Sequence, residues 1–176
     1  MTATKALDAI ALLKADHRTV EDLFARFEAA TSAADKEALA VQICTELSVH
    51  ARIEEDIFYP ACKGVVDAEL RNEALVEHDA AKLLIAEIAM GGRSDRFSDA
   101  KMMVLKEEIA HHVGEEERAG DGMFAQARKG GLDLAKLGER MAAEKTRLMA
   151  DFMANGLPMP ATSTLVATSI GQLVAD

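Results

Sequence analysis

One helical signature occurs twice in the 176-residue chain, and this duplication narrows the possible folds more than any other feature. Ile43, Leu47, His50 and Glu54 follow one another at intervals of 4, 3 and 4 residues. Leu105, Ile109, His112 and Glu116 repeat those intervals, with His112 lying 62 residues after His50. Ahead of each run stands another histidine in a similar setting. Ala15-Asp16-His17-Arg18 corresponds to Val76-Glu77-His78-Asp79, at an offset of 61 residues. Leu23, Phe24 and Phe27 then match Leu84, Ile85 and Ile88. Steps of three and four keep residues on one helical face. Each half therefore reads as a helical hairpin, with a histidine on its first helix and His-x-x-x-Glu on its second. Two such hairpins with short connections imply an all-α, antiparallel up-down four-helix bundle.

Breakers divide the chain in agreement with this. The first helix is expected over about residues 5–30, with Leu13, Val20, Phe24 and Phe27 on its apolar stripe. The Thr31-Ser32-Ala33-Ala34-Asp35 linker supplies capping residues for a second helix, over about 36–59, which Pro60 ends. The third covers about 67–90 and stops at Gly91-Gly92; the fourth, capped by Ser98, runs to about 128, disturbed near Gly120 and Gly122. A fifth helix follows over about 132–154, after Gly130-Gly131. The expected organisation is a bundle over residues 1–130, with a C-terminal helix and irregular tail over 131–176 packed on it. Small, hydroxyl and β-branched residues such as Thr162, Ser163, Thr164 and Val166 fill that tail. It suits either a path over the bundle or pairing with a second subunit in a homodimer.

Composition excludes several classes of function. Apolar residues make up 49% of the chain, too many for a disordered segment. A formal net charge of −10 repels a phosphate backbone, so nucleic acid is not an expected partner. No apolar run approaches the roughly 18 residues of a membrane span. The N-terminus lacks the apolar core of a signal peptide, so a cytoplasmic location is expected. Cys44 and Cys62 form no Cys-x-x-Cys pair and read as ordinary small residues. Of the nine methionines, Met102, Met103, Met123, Met141, Met149 and Met153 fall at core-like positions as gap-fillers.

The polar residues on the core-facing stripes carry the chemistry. A lone histidine there is ordinarily a packed core residue, and a single i, i+4 His/Glu pair arises by chance. Here four of the five histidines fall at matching places in two halves, and both glutamates follow in register. Burying them without partners is costly, and a metal supplies partners. His112 is preferred to His111 because its row carries Leu105 and Ile109, whereas the row of His111 carries Glu108. Glu55 and Glu115 neighbour the ligand carboxylates as outer or occasional ligands. Tyr59 lies five residues past Glu54, about 140° around an α-helix, an angle that turns its ring away; Pro60 ends the helix at once, so its role stays open. Imidazole and carboxylate suit iron, manganese or zinc. Six ligands exceed one tetrahedral zinc and fit two iron ions.

These motifs resemble the hemerythrin HHE cation-binding family. Asp16-His17-Arg18, His50-Ala-Arg-Ile-Glu54-Glu-Asp-Ile-Phe-Tyr-Pro60, Glu77-His78-Asp79 and His111-His112-Val-Gly-Glu-Glu116 carry the likeness, over about residues 8–128. The resemblance implies a four-helix bundle around an oxo- or hydroxo-bridged centre of two iron ions. Its metal ligands would be His17, His50, Glu54, His78, His112 and Glu116. Two departures separate the chain from oxygen carriers. Their extra third-helix histidine, four residues after His78, is replaced here by Lys82, and their fourth-helix carboxylate is an Asp one residue further on. An open coordination position favours reaction with oxygen, peroxide or nitric oxide over reversible carriage. The expected function is oxidative-stress defence. The alternative is an oxygen, redox or iron sensor, or an iron-homeostasis protein, without turnover.

Overall fold

The computed structural model describes residues 7–165, and most of its helices begin where a side chain can take up a free backbone N–H. Asp8 accepts from the Ala11 amide at 2.8 Å and opens α1 (Ala9–Ala29). Ser32 accepts from the Asp35 amide at 3.0 Å and opens α2 (Ala33–Ile53). A π-helical turn (Glu54–Phe58) continues α2 without a break into the single turn α3 (Tyr59–Ala61). Asp67 caps α4 (Ala68–Gly91) through the Glu69 amide, and a 3-10 turn (Gly92–Ser94) leads into α5 (Ser98–Glu117). Then come α6 (Met123–Lys129) and α7 (Leu134–Asn155), the latter capped by Asp133. Among the described residues no strand forms, and no helix is long and apolar enough to cross a membrane.

Consecutive long helices pack side by side, α1 on α2 and α4 on α5, while α2 also meets α4. The C-terminal α7 lies against α1 and α2. Its approach to the start of α1 is close enough to require glycine. A Cβ on Gly138 would fall 2.4 Å from the Leu7 carbonyl oxygen, which is backbone and has no side-chain freedom to give way.

Two apolar clusters fill the interior. One gathers Leu13 of α1, Val49 and Ile53 of α2, Phe58, Phe124 and the α7 residues Met141 and Phe152. The other holds Val20 to Phe27 of α1, Ile43 and Leu47 of α2, Ile85 and Ile88 of α4, and Met102 and Leu105 of α5. Along α1, α2 and α4 the change from one cluster to the other falls beside His17, His50 and His78. The polar residues therefore occupy a layer between two dry plugs.

Several expectations need correction. The fourth helix does not run to residue 128. It ends at Glu117, and the chain turns before α6, where a Cβ on Gly122 would meet the Arg118 carbonyl oxygen at 2.5 Å. Ser98 is the first residue of α5, not its cap; Phe97 holds the cap position with no side-chain bond. The second helix departs from α geometry at Glu54. Met102, Met123 and Met141 are core residues, but Met103 is 37% and Met153 80% exposed, because the stripes of α5 and α7 that face inward are narrower than expected. Both cysteines are free and buried.

Because Met141 of α7 is fully buried in the same cluster as α1 and α2, Met141→Ala is expected to cost about 2–5 kcal/mol. Urea denaturation would show this as a lower midpoint of one cooperative transition. A separate early transition for α7 would contradict the shared core.

Candidate metal centre

The six residues singled out from the repeat converge in one buried layer. His17, His50, Glu54, His78, His112 and Glu116 are each no more than 7% exposed. They come from α1, α2, the π turn, α4 and α5. His111, by contrast, has a side chain 64% exposed, on an outer face with Glu73, Glu77 and Glu115. Glu115 lies 3.8 Å from His111 and does not enter the layer.

The ring nitrogens meet in pairs. His17 Nε2 is 3.2 Å from His50 Nε2, and His78 Nε2 is 3.2 Å from His112 Nε2. Each glutamate stands between the pairs. Glu54 Oε2 lies 3.2 Å from His50 and 3.4 Å from His78. Glu116 Oε2 lies 3.4 Å from His17 and 3.7 Å from His112. Glu54 Oε1 and Glu116 Oε2 are buried without a hydrogen-bond partner. Two donors sharing one ion at roughly 2.1 Å would stand about 3.0–3.4 Å apart, the spacing of each imidazole pair. Unpaired carboxylate oxygens and facing imidazole nitrogens thus fit cations, in two donor groups that share Glu54.

A second set of carboxylates holds the outer edge of every imidazole. Nδ1 of His17 meets Glu117 at 2.7 Å, that of His50 meets Asp16 at 3.5 Å, that of His78 meets Glu55 at 3.0 Å, and that of His112 meets Glu77 at 2.8 Å. Such contacts orient a metal-binding ring and leave Nε2 free as the donor. Three of the four are themselves held by cations. Lys145 of α7 reaches Asp16 at 2.6 Å, Lys82 reaches Glu55 at 2.7 Å, and Arg18 reaches Glu117 at 2.7 Å. Glu55 takes the outer position foreseen for it. Asp16, Glu77 and Glu117 were missed, although each adjoins a predicted ligand in the chain.

Tyr59, whose role the sequence left open, turns inward. Its hydroxyl enters the layer and donates to Glu116 Oε1 at 3.1 Å, with His78 Nε2 at 3.3 Å and Glu54 Oε2 at 3.5 Å. The Tyr59 amide bonds the Glu54 carbonyl, five residues back. In this wider turn, residues five apart come close to sharing a face, so the 140° expected of an α-helix does not apply.

Burial and charge work against each other at these groups. Burial pushes Glu54 upward, but His50 and His78 draw it well below the usual carboxylate range. Burial lowers His50, yet Glu54 and Asp16 raise it to about 10. His78, likewise lowered by burial, is raised to about 9 by Glu54 and Glu55. Burial, Glu116 and Glu54 all hold the Tyr59 phenol above its ordinary range.

Residues 8–119 match the hemerythrin HHE cation binding domain. The chain belongs to that family. No curated protein matches it. Its fold is similar to the crystal structure of a hemerythrin HHE cation binding domain-containing protein from Mycobacterium kansasii, at a TM-score of 0.71 and 24% identity. That likeness covers 86% of this chain and 95% of the other. The match spans all six residues of the layer, whose imidazoles and carboxylates could hold a cation.

Only a neutral imidazole binds a metal. With His50 and His78 raised to about 10 and 9, both carry a proton at neutral pH when no metal is bound. Metal uptake at pH 7 is therefore expected to release about two protons per chain, and apparent affinity should rise with pH. Calorimetric titration in buffers of differing ionisation enthalpy measures the release. Uptake without it would mean that these imidazoles are not displaced.

Proposed function

We propose that His17, His50, Glu54, His78, His112 and Glu116 hold two iron ions, and that the protein acts on peroxide, nitric oxide or oxygen in oxidative-stress defence. The observation that carries this reading is the placement of each glutamate between a histidine of one pair and a histidine of the other. One ion would need one such group. Two pairs joined by two carboxylates suit two ions, as in other helical bundles that bind metal between facing helices. Iron held there would supply one- and two-electron chemistry toward small oxygen or nitrogen species.

The chain's own residues prepare a place for such a molecule. A cavity of about 30 Å³ adjoins His17, His50, His78 and His112, with Val20, Leu47, Ala81, Ile85 and Ile109 in its walls. That is room for one or two waters or a diatomic. The apolar walls exclude bulk water and strengthen electrostatics inside. Tyr59, which does not line this cavity, donates to Glu116 Oε1 at 3.1 Å and so offers a proton at the centre itself. Lys82, at the place where an oxygen carrier has its extra histidine, is tied to Glu55 and Asp79 and offers no lone pair while charged.

Protein produced in iron-supplemented cells is expected to carry about two irons per chain, with near-ultraviolet charge-transfer bands that respond to azide. His112→Ala should abolish the bands and peroxide consumption; His111→Ala should leave both nearly unchanged. Equal losses in the two variants, or one zinc per chain, would defeat the di-iron reading. Tyr59→Phe should keep the iron and slow peroxide consumption by about 10²-fold or more if its proton is transferred in the reaction.

A further inference from the structure

After α7 the chain turns back and fastens itself to α4. The carboxylate Oδ2 of Asp79 accepts from the amides of Ser163 at 2.7 Å, Thr164 at 2.6 Å and Leu165 at 3.2 Å, and from the Thr164 hydroxyl at 2.8 Å. Asp79 is fully buried. Its other oxygen meets Lys82 Nζ at 3.1 Å, and the same ammonium donates to the Ala161 carbonyl at 3.3 Å and pairs with Glu55 at 2.7 Å. Glu55 in turn holds His78. The latch and the outer shell of the centre thus share one lysine.

The fastened segment borders a groove of about 360 Å³, together with α2, α4 and α7. Ser48, Lys82 and Ile85 line both this groove and the small cavity beside the histidines. They form the partition between the two, and Lys82 is its charged member, donating to Ala161, which lines the groove. Four donors on one carboxylate oxygen make a strong anchor, because hydrogen bonds to a charged acceptor are the stronger kind.

We propose that residues 157–165 form a strap which, latched on Asp79 and Lys82, closes the passage from the groove to the cavity and limits the centre to ligands of a few atoms. The chemical consequence rests on the di-iron reading; the closure itself does not. While the strap is latched, Lys82 is held against the partition by Ala161, Asp79 and Glu55. When it is released, Lys82 keeps its ion pairs with Glu55 and Asp79, but the groove loses the wall made by residues 157–161 and the partition at Ser48 is opened to bulkier molecules.

The test uses the full chain. Thr164→Pro removes an amide and a hydroxyl from Asp79 in one substitution and touches no residue of the centre. Ser48→Cys places a thiol in the partition, while Cys44 and Cys62 are at most 2% exposed and give a slow background. Each lost bond to a charged acceptor is worth at least about a tenfold shift in the latch equilibrium. N-ethylmaleimide is therefore expected to label Ser48→Cys at least about tenfold faster when Thr164→Pro is present. The iron-loaded Thr164→Pro protein should gain similarly in its rate with tert-butyl hydroperoxide relative to hydrogen peroxide. Equal labelling in the two backgrounds would overturn the strap. Faster labelling in a protein that binds no iron would uphold the strap and defeat the di-iron reading instead. If circular dichroism shows that Thr164→Pro does not fold, Asp79→Asn, which keeps the shape and removes the charge, takes its place with the same labelling criterion.

Discussion

Glu54 and Glu116 are 0% and 1% exposed, and a carboxylate so far from water is costly unless positive charge lies within bonding distance. That requirement shapes the whole middle of the bundle. The two glutamates come from different halves of the chain, so satisfying them draws both halves to one layer. Glu54 in turn makes His50 and His78 hold their protons more tightly than usual. One oxygen of each glutamate still lacks a hydrogen-bond partner and is open to a cation. Apolar clusters on either side keep the layer dry. The same apolar packing that stabilises the bundle therefore leaves its centre suited to a cation.

The outer carboxylates extend this logic. Each sits next to a ligand in the chain yet serves the histidine of a neighbouring helix. Asp16, beside His17, holds His50; Glu55, beside Glu54, holds His78; Glu77, beside His78, holds His112; and Glu117, beside Glu116, holds His17. The contacts close a circuit through all the ligand-bearing helices. Displacing one helix would therefore disturb the orientation of an imidazole on the next. Lys145 brings α7 into the circuit through Asp16 and Glu46, giving the added helix a part in the centre as well as in the core.

The repeat made the layer legible because its periodicity and its chemistry agree: intervals of three and four select a face, and that face is apolar apart from His and Glu. The outer carboxylates were equally present as Asp-His, Glu-Glu and Glu-His neighbours. Adjacent residues on a helix point about 100° apart, however, and without tertiary packing nothing says that this direction leads to another helix's imidazole. Tyr59 was left open for a different reason. The π turn has no local marker beyond the nearby Pro60, so α geometry alone could not say which way the ring turns. The tail was hardest of all. Thr162, Ser163 and Thr164 have no periodicity, and their place depends on a carboxylate at Asp79, more than eighty residues earlier in the chain.

The two halves of the layer are alike in sequence but not in donor number, and the difference follows from single residues. One tight donor group combines His17, His50, Glu54 and Glu116, whereas the other consists of Glu54, His78 and His112, with Glu116 further off at 3.7 Å from His112. On the poorer side the residue one turn after His78 is Lys82, held by Glu55 and Asp79. A charged ammonium cannot replace the donor that an imidazole would provide there. The Tyr59 hydroxyl, 3.3 Å from His78 Nε2, lies on this same side. The fold thus leaves fewer protein donors where it also sets a phenolic proton and a lysine-lined partition. A pseudo-symmetric bundle acquires an unsymmetric centre through one lysine and one turn of π helix.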